Sequence, residues 1–424
     1  MNDTDANIEF QSVPTDWVLK EFGQVASLKS GGGAPQGNEY FKDGKYPFVR
    51  VQHFDGTEKY IARWDLITEK AVKDYRLKLF KKDTILFPKS GASIMLEKRA
   101  KLPIDAYVVG HLCCVEPENV ENDFLFYLLK YVKFAHTIDG STLPYLNLNH
   151  LAKRMLPVPP LPEQHNIAYV LTTIQTAIEQ QARMIKLTRE LKSVLMKKLF
   201  TEGLRGEKQK ETEIGLVPES WKIIELKNLL REPLRNGHSA KPSLNGKGIR
   251  TLTLTAVTKR DFSVKNTKLT TADPDRVSNF WLRNGDILIE RANTPEYVGL
   301  AALYKGLDNF SIFPDLMIRV RVDEERTTPN FIAEYLITPV CRMYFQKSMH
   351  STAGNFPKID QPTVEKTLIP LPKLEEQTEI AQTLETLDKK IGLIDSQLNK
   401  LVELFRTLLH QLMTGQVRVK DLEI

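Results

Sequence analysis

Cysteine is scarce in this 424-residue chain, and the three cysteines lack the spacing of a metal site. Cys113 and Cys114 are adjacent and Cys341 lies far from both, so no pair matches a zinc-ligand motif. An odd number of cysteines is also a poor basis for a disulfide framework. The eight histidines show no paired ligand spacing, and we expect His165 to be solvated. These patterns predict reduced structural thiols and no metal site.

Long apolar runs are missing as well. No segment approaches the ~20 apolar residues that a membrane-spanning helix needs, and the opening segment MNDTDANIEF lacks the apolar core of a signal peptide. These absences predict a soluble, cytoplasmic protein with no membrane partner. The basic excess is mild, with a net charge of +6 and a pI near 8.9. It is compatible with a polyanionic partner but does not indicate one by itself.

Motifs for chemistry on nucleic acids are absent too. The segment GGGAPQGNEY has no lysine where a phosphate-binding P-loop requires one. Adenine methylation typically needs an Asn-Pro-Pro-aromatic tetrapeptide around the flipped base, and the nearest segment, NTPE from Asn293 to Glu296, lacks the aromatic residue. Scattered acidic residues still leave a nuclease cluster open. We expect no catalytic residue and no cofactor in this chain.

Internal repetition, by contrast, runs through the whole sequence. VPTDW (Val13 to Trp17) returns as VPESW (Val217 to Trp221), KKDTILFPKSG as RNGDILIERAN, and PLPEQ as KLEEQ. The segments DGSTLPYLNLNHL and MHSTAGNFPKIDQ hold matching places in the two halves. Between these landmarks the halves show no close similarity, as GGGAPQGNEYFKDGKYPFVRVQHF and RNGHSAKPSLNGKGIRTLTLTAV illustrate. A repeated frame with different contents suits a scaffold that presents two recognition surfaces.

Each half reads as a mixed α/β domain of about 150 residues. Short β-like runs such as YPFVRV, DTILF and YVVGHLCCVE alternate with turns. Helical segments such as NDFLFYLLKYVKFA and PNFIAEYLITPVCRMYF follow them. The predicted fold class is therefore α/β (α+β), with a pseudo-two-fold internal duplication.

A long amphipathic helix is predicted at the end of each half. In the second, apolar residues recur in steps of four and three, as in a coiled-coil seam: Ile380, Leu384, Leu387, Ile391, Ile394, Leu398, Leu401, Phe405, Leu408 and Leu412. The first begins alike and then departs from the pattern. Its seam residues are Ile167, Leu171, Ile174 and Ile178, followed by Gln181, Thr188 and Lys192, while Met184, Leu187, Leu191 and Val194 shift the apolar stripe sideways.

Helices of roughly 50 Å are longer than one such domain could cover. We therefore predict two antiparallel coiled-coil helices that hold the two domains a fixed distance apart. The prolines before each helix are expected to keep the chain out of a strand ladder and to set where the helix begins. These prolines are Pro157, Pro159, Pro160 and Pro162, and Pro370 and Pro372.

The ordered duplication of PLPEQ and KLEEQ, with TEIGLVPESW, SGGGAPQGNEYF and GDILIERAN, resembles the DNA-specificity (S) subunit of type I restriction-modification systems. The resemblance covers residues 13 to 420. It implies target recognition domains at residues 13–158 and 213–371, which read the two halves of a bipartite sequence in double-stranded DNA. It also implies spacer helices at residues 159–212 and 372–424, after an N-terminal tail at residues 1–12.

The same resemblance implies partners that carry the chemistry of host defence. Two methyltransferase (M) subunits would dock on the helices, and restriction/translocase (R) subunits would join the complex. S-adenosylmethionine, ATP and magnesium would then belong to those partners, which would perform N6-adenine methylation. This chain would supply sequence choice and assembly. Two alternatives remain open: a methyltransferase or nuclease with an unrecognised site, and a coiled-coil scaffold for protein ligands.

Candidate DNA-binding residues lie in polar loops that mix the side chains used for base readout. In the first half these are Lys29, Ser30, Gln36, Arg50, Gln52, His53, Lys89 and Ser90. In the second half they are Arg235, Asn236, His238, Lys241, Arg250, Arg291, Asn293 and Thr294. For each of them a solvated loop position is an equally good interpretation. Glycines 31 to 33 fit a phosphate contact or a turn, and Lys98, Arg99 and Lys101 fit a phosphate-facing patch or a solvated face.

Overall fold

The structure is a computed structural model that describes residues 13–54, 58–134, 144–350, 356–420 and 422. The predicted tail at residues 1–12 lies outside the described residues, as do parts of the DGSTLPYLNLNHL and MHSTAGNFPKIDQ segments. The chain divides into unit 1, Met1–Ile185 with Leu393–Ile424, and unit 2, Lys186–Gly392. Each unit therefore combines one half of the sequence repeat with parts of both long helices.

Unit 1 has three sheets, in the orders β1-β10, β2-β9-β6-β7 and β4-β3-β8-β5. Its strands are β1 (Val18–Glu21), β2 (Ala26–Ser30), β3 (Tyr46–Val49), β4 (Asp65–Ile67), β5 (Leu79–Phe80), β6 (Ile85–Pro88), β7 (Ala100–Lys101), β8 (Ala106–Val108), β9 (Leu112–Pro117) and β10 (Met155–Val158). Its helices are α1 (Phe22–Val25), α2 (Glu69–Asp74), α3 (Asn122–Tyr131), α4 (Leu148–Ala152) and the start of α5 (Leu161–Glu202).

Unit 2 has sheets in the orders β11-β12, β13-β20, β14-β19-β17-β18 and β15-β16. Its strands are β11 (Gln209–Thr212), β12 (Gly215–Pro218), β13 (Lys222–Glu225), β14 (Arg235–Asn236), β15 (Ile249–Leu252), β16 (Thr267–Thr270), β17 (Ile287–Glu290), β18 (Ala301–Leu303), β19 (Met317–Val320) and β20 (Leu368–Leu371). Its helices are α6 (Thr255–Thr258), α7 (Pro329–Leu336), α8 (Pro339–Ser348), α9 (Gln361–Glu365) and the start of α10 (Leu374–Met413).

The sequence repeat appears as a repeated central sheet. The order β2-β9-β6-β7 in unit 1 matches β14-β19-β17-β18 in unit 2, and neighbouring strands are antiparallel in both. Alternate residues of β6 face opposite ways, so that Ile85 and Phe87 pack with α3 while Leu86 packs with the β4-β3-β8-β5 sheet. In β17, Ile287 and Ile289 pack with α7 in the same manner. The predicted mixed α/β fold with internal duplication is confirmed.

The layer on the other face of the central sheet differs between the units. Unit 1 has the four-stranded β4-β3-β8-β5 sheet, whereas unit 2 has the two-stranded β15-β16 sheet. The dissimilar sequence segments at residues 31–54 and 235–257 contribute β3 and β15 to these layers. The duplicated frame therefore carries a different outer layer in each unit.

Two prolines do not act as the sequence suggested. Pro157 lies in β10 opposite Leu19, and Pro370 lies in β20 opposite Ile223. The prediction that they keep the chain out of a strand ladder is wrong. Each belongs to a two-stranded sheet, in which every second N–H points away from the partner strand, so a residue without an N–H is tolerated there.

The long helices are longer than predicted, at 42 residues for α5 and 40 for α10. A rise of 1.5 Å per residue gives about 63 and 60 Å instead of about 50 Å. In unit 1, Leu171 near the start of α5 shares a core with Leu412 at the end of α10. In unit 2, Leu199 at the end of α5 shares a core with Leu384 near the start of α10. Start meets end in both units, which confirms the antiparallel pairing.

The predicted seam is the buried side of each long helix. All ten seam residues of α10 are buried or half-buried. On α5 the polar residues Thr188 and Lys192 are buried at the predicted positions. The shifted stripe of α5 is instead exposed, at 44% for Met184, 52% for Leu187, 54% for Leu191 and 68% for Val194.

The cysteines are buried and free, as expected. Burial raises the pKa of Cys113 and of Cys341 to about 12, so both thiols stay protonated and unreactive near neutral pH. His165 is exposed, as predicted. Among the described residues, no helix has the length and apolar character needed to cross a membrane.

Candidate functional site

The repeated glutamates of PLPEQ and KLEEQ are hydrogen-bonded to the repeated tryptophans. Glu163 in the first turn of α5 accepts a bond from Nε1 of Trp17 at 3.1 Å. Glu376 in the first turn of α10 accepts one from Nε1 of Trp221 at 3.3 Å. All four side chains are buried. The VPTDW and VPESW segments therefore attach the start of each domain to the start of its long helix.

The glutamine that follows each glutamate ties the helix to the domain a second time. Oε1 of Gln164 accepts the backbone N–H of Glu121, which caps α3, at 2.8 Å. Oε1 of Gln377 accepts the backbone N–H of Thr328, which caps α7, at 3.0 Å. Both amides also donate to a proline carbonyl just before their own helix. The Glu-Gln pair shared by the two motifs therefore makes equivalent contacts with its domain in both units.

Several candidate residues of unit 1 meet at one end of the central sheet. Strands β2 and β6 both run antiparallel to β9, so they finish at the edge where β9 begins. Lys29 and Ser30 end β2, and Lys89 and Ser90 follow β6. Oγ of Ser90 lies 2.6 Å from Nδ1 of His111, the residue before β9. We call these five residues the sheet end of unit 1.

Unit 2 brings the corresponding positions together in the same way. Arg235 and Asn236 form β14, and Arg291 and Asn293 follow β17, next to the start of β19. The backbone N–H of Arg291 donates to the carbonyl of Leu316 at 2.8 Å, just as that of Lys89 donates to His111 at 2.9 Å. We call Arg235, Asn236, Arg291, Asn293 and Leu316 the sheet end of unit 2.

A glycine marks the same point in both units. Gly31 follows β2, and a Cβ there would overlap the carbonyl oxygens of Val108 and Val109. Gly237 follows β14, and a Cβ there would overlap the carbonyl oxygen of Phe313. The close approach is to the protein's own backbone, so a contact with phosphate is not needed to explain Gly31. Sequence comparison found no counterpart for the glycine-rich loop, whereas the structure shows that Gly31 and Gly237 are equivalent.

The sheet end of unit 2 is ordered by local hydrogen bonds. Oδ1 of Asn236 accepts from Nε2 of Gln361 at 3.0 Å, and Nη1 of Arg291 donates to a carbonyl at 3.2 Å. Asn293 donates to the buried carboxylate of Glu290, whose pKa is raised by burial. Of the other candidates there, Thr294 bonds to Glu296 at 2.6 Å. These bonds orient the side chains before any ligand arrives.

The cations of the two sheet ends differ in their surroundings. Lys29 forms an ion pair with Glu116. Lys89 is half-buried, and no ion pair holds it within the described part of the chain. The guanidinium of Arg235 lies 5.6 Å from the ring centroid of Phe280, which also contacts the ring of His238. Each unit thus presents cations beside polar groups, but with a different set of side chains.

Three candidates follow β3, away from the sheet end of unit 1. The guanidinium of Arg50 lies 4.9 Å from the ring centroid of Phe41 and has a carboxylate oxygen of Asp65 at 2.8 Å. His53 is buried, its Nδ1 accepts the N–H of Arg50 at 3.0 Å, and burial lowers its pKa. Arg50 and His53 therefore support the local fold, while Gln52 is exposed.

The remaining candidates are single side chains on outer loops or strands. Gln36 and Lys241 are exposed. Arg250 lies in β15, donates to Oγ1 of Thr267 at 2.9 Å and lies 5.1 Å from the ring centroid of Phe310. The structure does not gather these residues at either sheet end.

The basic segment at Lys98 to Lys101 is not a surface patch. Arg99 is only 3% exposed and lies between the rings of Phe87 and Phe134. Lys101 is 2% exposed, with its Nζ 2.6 Å from Oδ1 of Asp123. Both interpretations of this segment, a phosphate-facing patch and a solvated face, are wrong for these two residues. Their charges are paired inside the domain.

Two residues at the sheet ends were missed by residue type alone. Tyr145 forms a β-bridge with Ser90 in unit 1, and Lys358 forms one with Ala292 in unit 2. Both lie in the repeated DGSTLPYLNLNHL and MHSTAGNFPKIDQ segments. Their equivalent position in the repeat was therefore the signal that could have identified them. In the described residues, no group of three or more His, Cys, Asp or Glu side chains is placed to hold a metal ion.

Comparison with known proteins gives a consistent result over nearly the whole chain. Residues 14–189 and 218–404 match the family model described as "Type I restriction modification DNA specificity domain". The type I restriction enzyme MjaVIII specificity subunit of Methanocaldococcus jannaschii is 25% identical over 423 residues, which cover 97% of this chain and 95% of the relative. The EcoKI specificity subunit of Escherichia coli is 25% identical over 91% of this chain and 85% of its own length.

Other matches agree with these. The MjaIX specificity subunit of M. jannaschii is 30% identical over 202 residues, but this match spans 46% of each chain. The crystal structure of the type I S subunit from M. genitalium superposes with a TM-score of 0.62 at 16% identity and covers 97% of both chains. At that identity the structural match shows the fold, which is that of an S subunit.

Proposed function

Because the chain belongs to the type I restriction-modification DNA specificity family, we propose that it reads a bipartite sequence in double-stranded DNA through its two sheet ends. Members of this family choose the sequence and are not the catalytic subunits. The observation that carries the proposal is that the two units share a backbone arrangement but differ in the side chains at their sheet ends. Strand order and backbone hydrogen bonds repeat between the units, whereas Ser30, Lys89 and Ser90 are replaced by Asn236, Arg291 and Ala292.

The types of side chain at the sheet ends suit base readout. Arginine and lysine bind the acceptor edge of guanine, and asparagine binds adenine. Loops at one end of a rigid sheet are also where proteins commonly place binding residues. Two units with the same strand order but different side chains at their sheet ends would read two different half-sites. A single catalytic site would give no reason to keep two frames.

We further propose that the exposed stripe of α5 docks a methyltransferase subunit. Met184, Leu187, Leu191 and Val194 are all more than two-fifths exposed and follow one another in steps of three and four. Apolar residues at this spacing form a continuous strip on one side of a helix, which fits an apolar helix or groove of a partner. S-adenosylmethionine, ATP and magnesium would be bound by the methyltransferase and restriction/translocase subunits.

Replacing one domain tests the bipartite reading. Residues 217–370 are exchanged for the matching segment of a relative such as the MjaVIII subunit, and the methylated adenines are mapped in cells that carry the hybrid with its methyltransferase. One half-site should change while the other stays the same. A change in both half-sites, or in neither, would contradict the assignment of one half-site to each unit.

The alternative functions have their own tests. Transfer of a labelled methyl group from S-adenosylmethionine to DNA by the purified chain alone would identify it as an enzyme. A protein scaffold would show no salt-sensitive affinity for DNA, whereas a DNA-reading complex loses affinity steeply as the salt concentration rises.

A further inference from the structure

At three positions where each domain packs against the long helices, unit 2 has charged residues and unit 1 has neutral ones. The two long helices align through Gln164 and Gln377, which make the same contacts, and α3 and α7 align through the residues that cap them. This alignment identifies three corresponding pairs. They are Lys192 and Phe405, Gln175 and Asp388, and Tyr127 and Glu334.

In unit 2 these positions form a balanced cluster of charges. Lys192 of α5 is 8% exposed, and its Nζ lies 2.9 Å from Oε2 of Glu334 and 2.7 Å from Oδ2 of Asp388. Nη1 of Arg260 lies 2.9 Å from the same oxygen of Asp388 and 3.4 Å from Oε1 of Glu334. Two cations and two carboxylates thus neutralise one another between α7 and the long helices.

In unit 1 the corresponding positions are neutral. Phe405 of α10 is 7% exposed, and its ring centroid lies 5.9 Å from that of Tyr127. Lys130 lies beside them, with its Nζ 5.4 Å from the Phe405 centroid and 3.3 Å from Oε1 of Gln175. Burial lowers the pKa of Lys130 to about 8. Lys59 also lies beside Tyr127, with its Nζ 5.8 Å from the ring centroid and 2.7 Å from Oδ2 of Asp123. None of the three corresponding positions of unit 1 holds a carboxylate that could pair with a further cation.

Much of the rest of the seam does not distinguish the two helices, although Gln181 corresponds to Ile394 and Thr188 to Leu401. Corresponding residues are identical at Ile167 and Ile380, at Leu171 and Leu384, and at Leu199 and Leu412. Apolar packing alone would let α5 of one copy pair with α5 of another, because the antiparallel partner would present the same residues. Selection of the correct partner must come from positions that differ.

We propose that Lys192 and Phe405 are pairing determinants that exclude helix exchange with a second copy of this chain. In an exchanged dimer, α5 of one copy pairs with α5 of the other, and α10 pairs with α10. Lys192 of the second copy would then replace Phe405 beside Lys130, where no carboxylate occupies the positions of Glu334 and Asp388. Phe405 would replace Lys192 in unit 2 and leave two carboxylates with Arg260 alone. Burying a charge without its partner costs far more than the paired cluster does.

Refolding of the full-length chain tests this. The variant Lys192→Phe/Glu334→Tyr/Asp388→Gln gives unit 2 the residues of unit 1 at these three positions, which removes the difference in charge between the two sites. Wild type and variant are unfolded in denaturant and refolded over a range of protein concentrations, and the mass is measured by light scattering after size exclusion. We expect the wild type to stay monomeric and the variant to form dimers with about a hundredfold higher association constant.

Two controls separate choice of partner from loss of stability. Lys192→Arg keeps the charge and should stay monomeric. Trp221→Phe removes a buried hydrogen bond that both units share, so it should lower the melting temperature without producing dimers. Dimers of Trp221→Phe would show that weakening the fold is sufficient, and the proposal would be overturned.

A second variant covers a failure of the first to fold. Lys192→Met/Glu334→Gln/Asp388→Asn preserves side-chain shape while removing the charges, and it should also dimerise on refolding. If either variant folds and stays monomeric at every concentration, Lys192 does not select the partner. If neither regains the helix content of the wild type by circular dichroism, the cluster is a requirement for folding and not a choice between partners, which would equally refute the proposal.

Discussion

Lengthening both spacer helices should widen the unread gap between the two half-sites. We would insert heptads that keep the apolar seam after Ile178 in α5 and after Ile391 in α10, which are corresponding seam positions. Whole heptads preserve the steps of four and three, so the helices can still pair along their full length. Both helices must be lengthened together, because a longer α5 alone would lose its partner.

The size of the effect follows from the helix rise. One heptad adds about 10.5 Å to each helix at 1.5 Å per residue, and three heptads add about 31.5 Å. One turn of DNA spans ~34–36 Å, or 10–10.5 base pairs. A one-heptad insertion therefore predicts a gap about three base pairs wider, and a three-heptad insertion about nine. Three base pairs also turn the second half-site by roughly 100°, so only the longer insertion returns it close to its original face.

Mapping of methylated adenines in cells with the methyltransferase measures this directly. The three-heptad variant should methylate the same two half-sites across the wider gap, and the one-heptad variant should methylate weakly. Circular dichroism and a thermal melt confirm that each variant folds. An unchanged gap in a folded, active variant would refute the idea that the helices set the spacing.

Three further predictions concern single residues. Lys89→Ala should weaken the sequence preference at one half-site, with a loss of about 1–3 kcal/mol of discrimination at one base pair. An unchanged map of methylated adenines would show that Lys89 does not read a base. Leu191→Glu should leave the melting temperature nearly unchanged, because the side chain is 54% exposed, yet it should abolish co-purification with the methyltransferase subunit. Glu190→Lys, at the neighbouring exposed position of α5, is the control. Equal losses of co-purification in the two variants would contradict a specific apolar contact. Gly31→Ala should lower the free energy of unfolding by about 1–3 kcal/mol, because its Cβ would overlap backbone carbonyls. Gly392→Ala, in open space within α10, should raise the free energy of unfolding by up to about 1 kcal/mol. Chemical denaturation measures both, and equal changes in the free energy of unfolding would show that the close approach at Gly31 is unimportant.

The errors of prediction have one common cause. Charged residues are usually exposed, but Lys101 is buried against Asp123 of α3, and Arg99, the ion-pair partner of Glu97, is buried between the rings of Phe87 and Phe134. Pro157 and Pro370 were excluded from strands because proline disrupts a central ladder, but each lies in a sheet with one neighbour. Burial and strand neighbours depend on residues distant in the chain, which a local pattern does not contain.

The candidate DNA-binding residues show the same division. Residue type identified Lys29, Lys89, Arg235 and Arg291 in separate loops, and the structure brings them to two equivalent sheet ends. Arg50 and His53 lie away from the sheet end of unit 1, where they contact Asp65 and each other. It also adds Tyr145 and Lys358, which meet the sheet ends through β-bridges that no residue preference announces.

The sequence by itself determined the duplicated frame, the two long helices and their seam, because these rest on periodicity and on ordered motifs that are local to the chain. It also carried the likeness to the specificity subunits. Tertiary structure alone decided which loops share a sheet end, what the Glu-Gln pair shared by PLPEQ and KLEEQ contacts, and that Lys192 is paired with carboxylates whereas Phe405 packs against Tyr127. Those facts depend on strand pairing and helix packing between distant segments, where the position of a side chain is set by its neighbours in space.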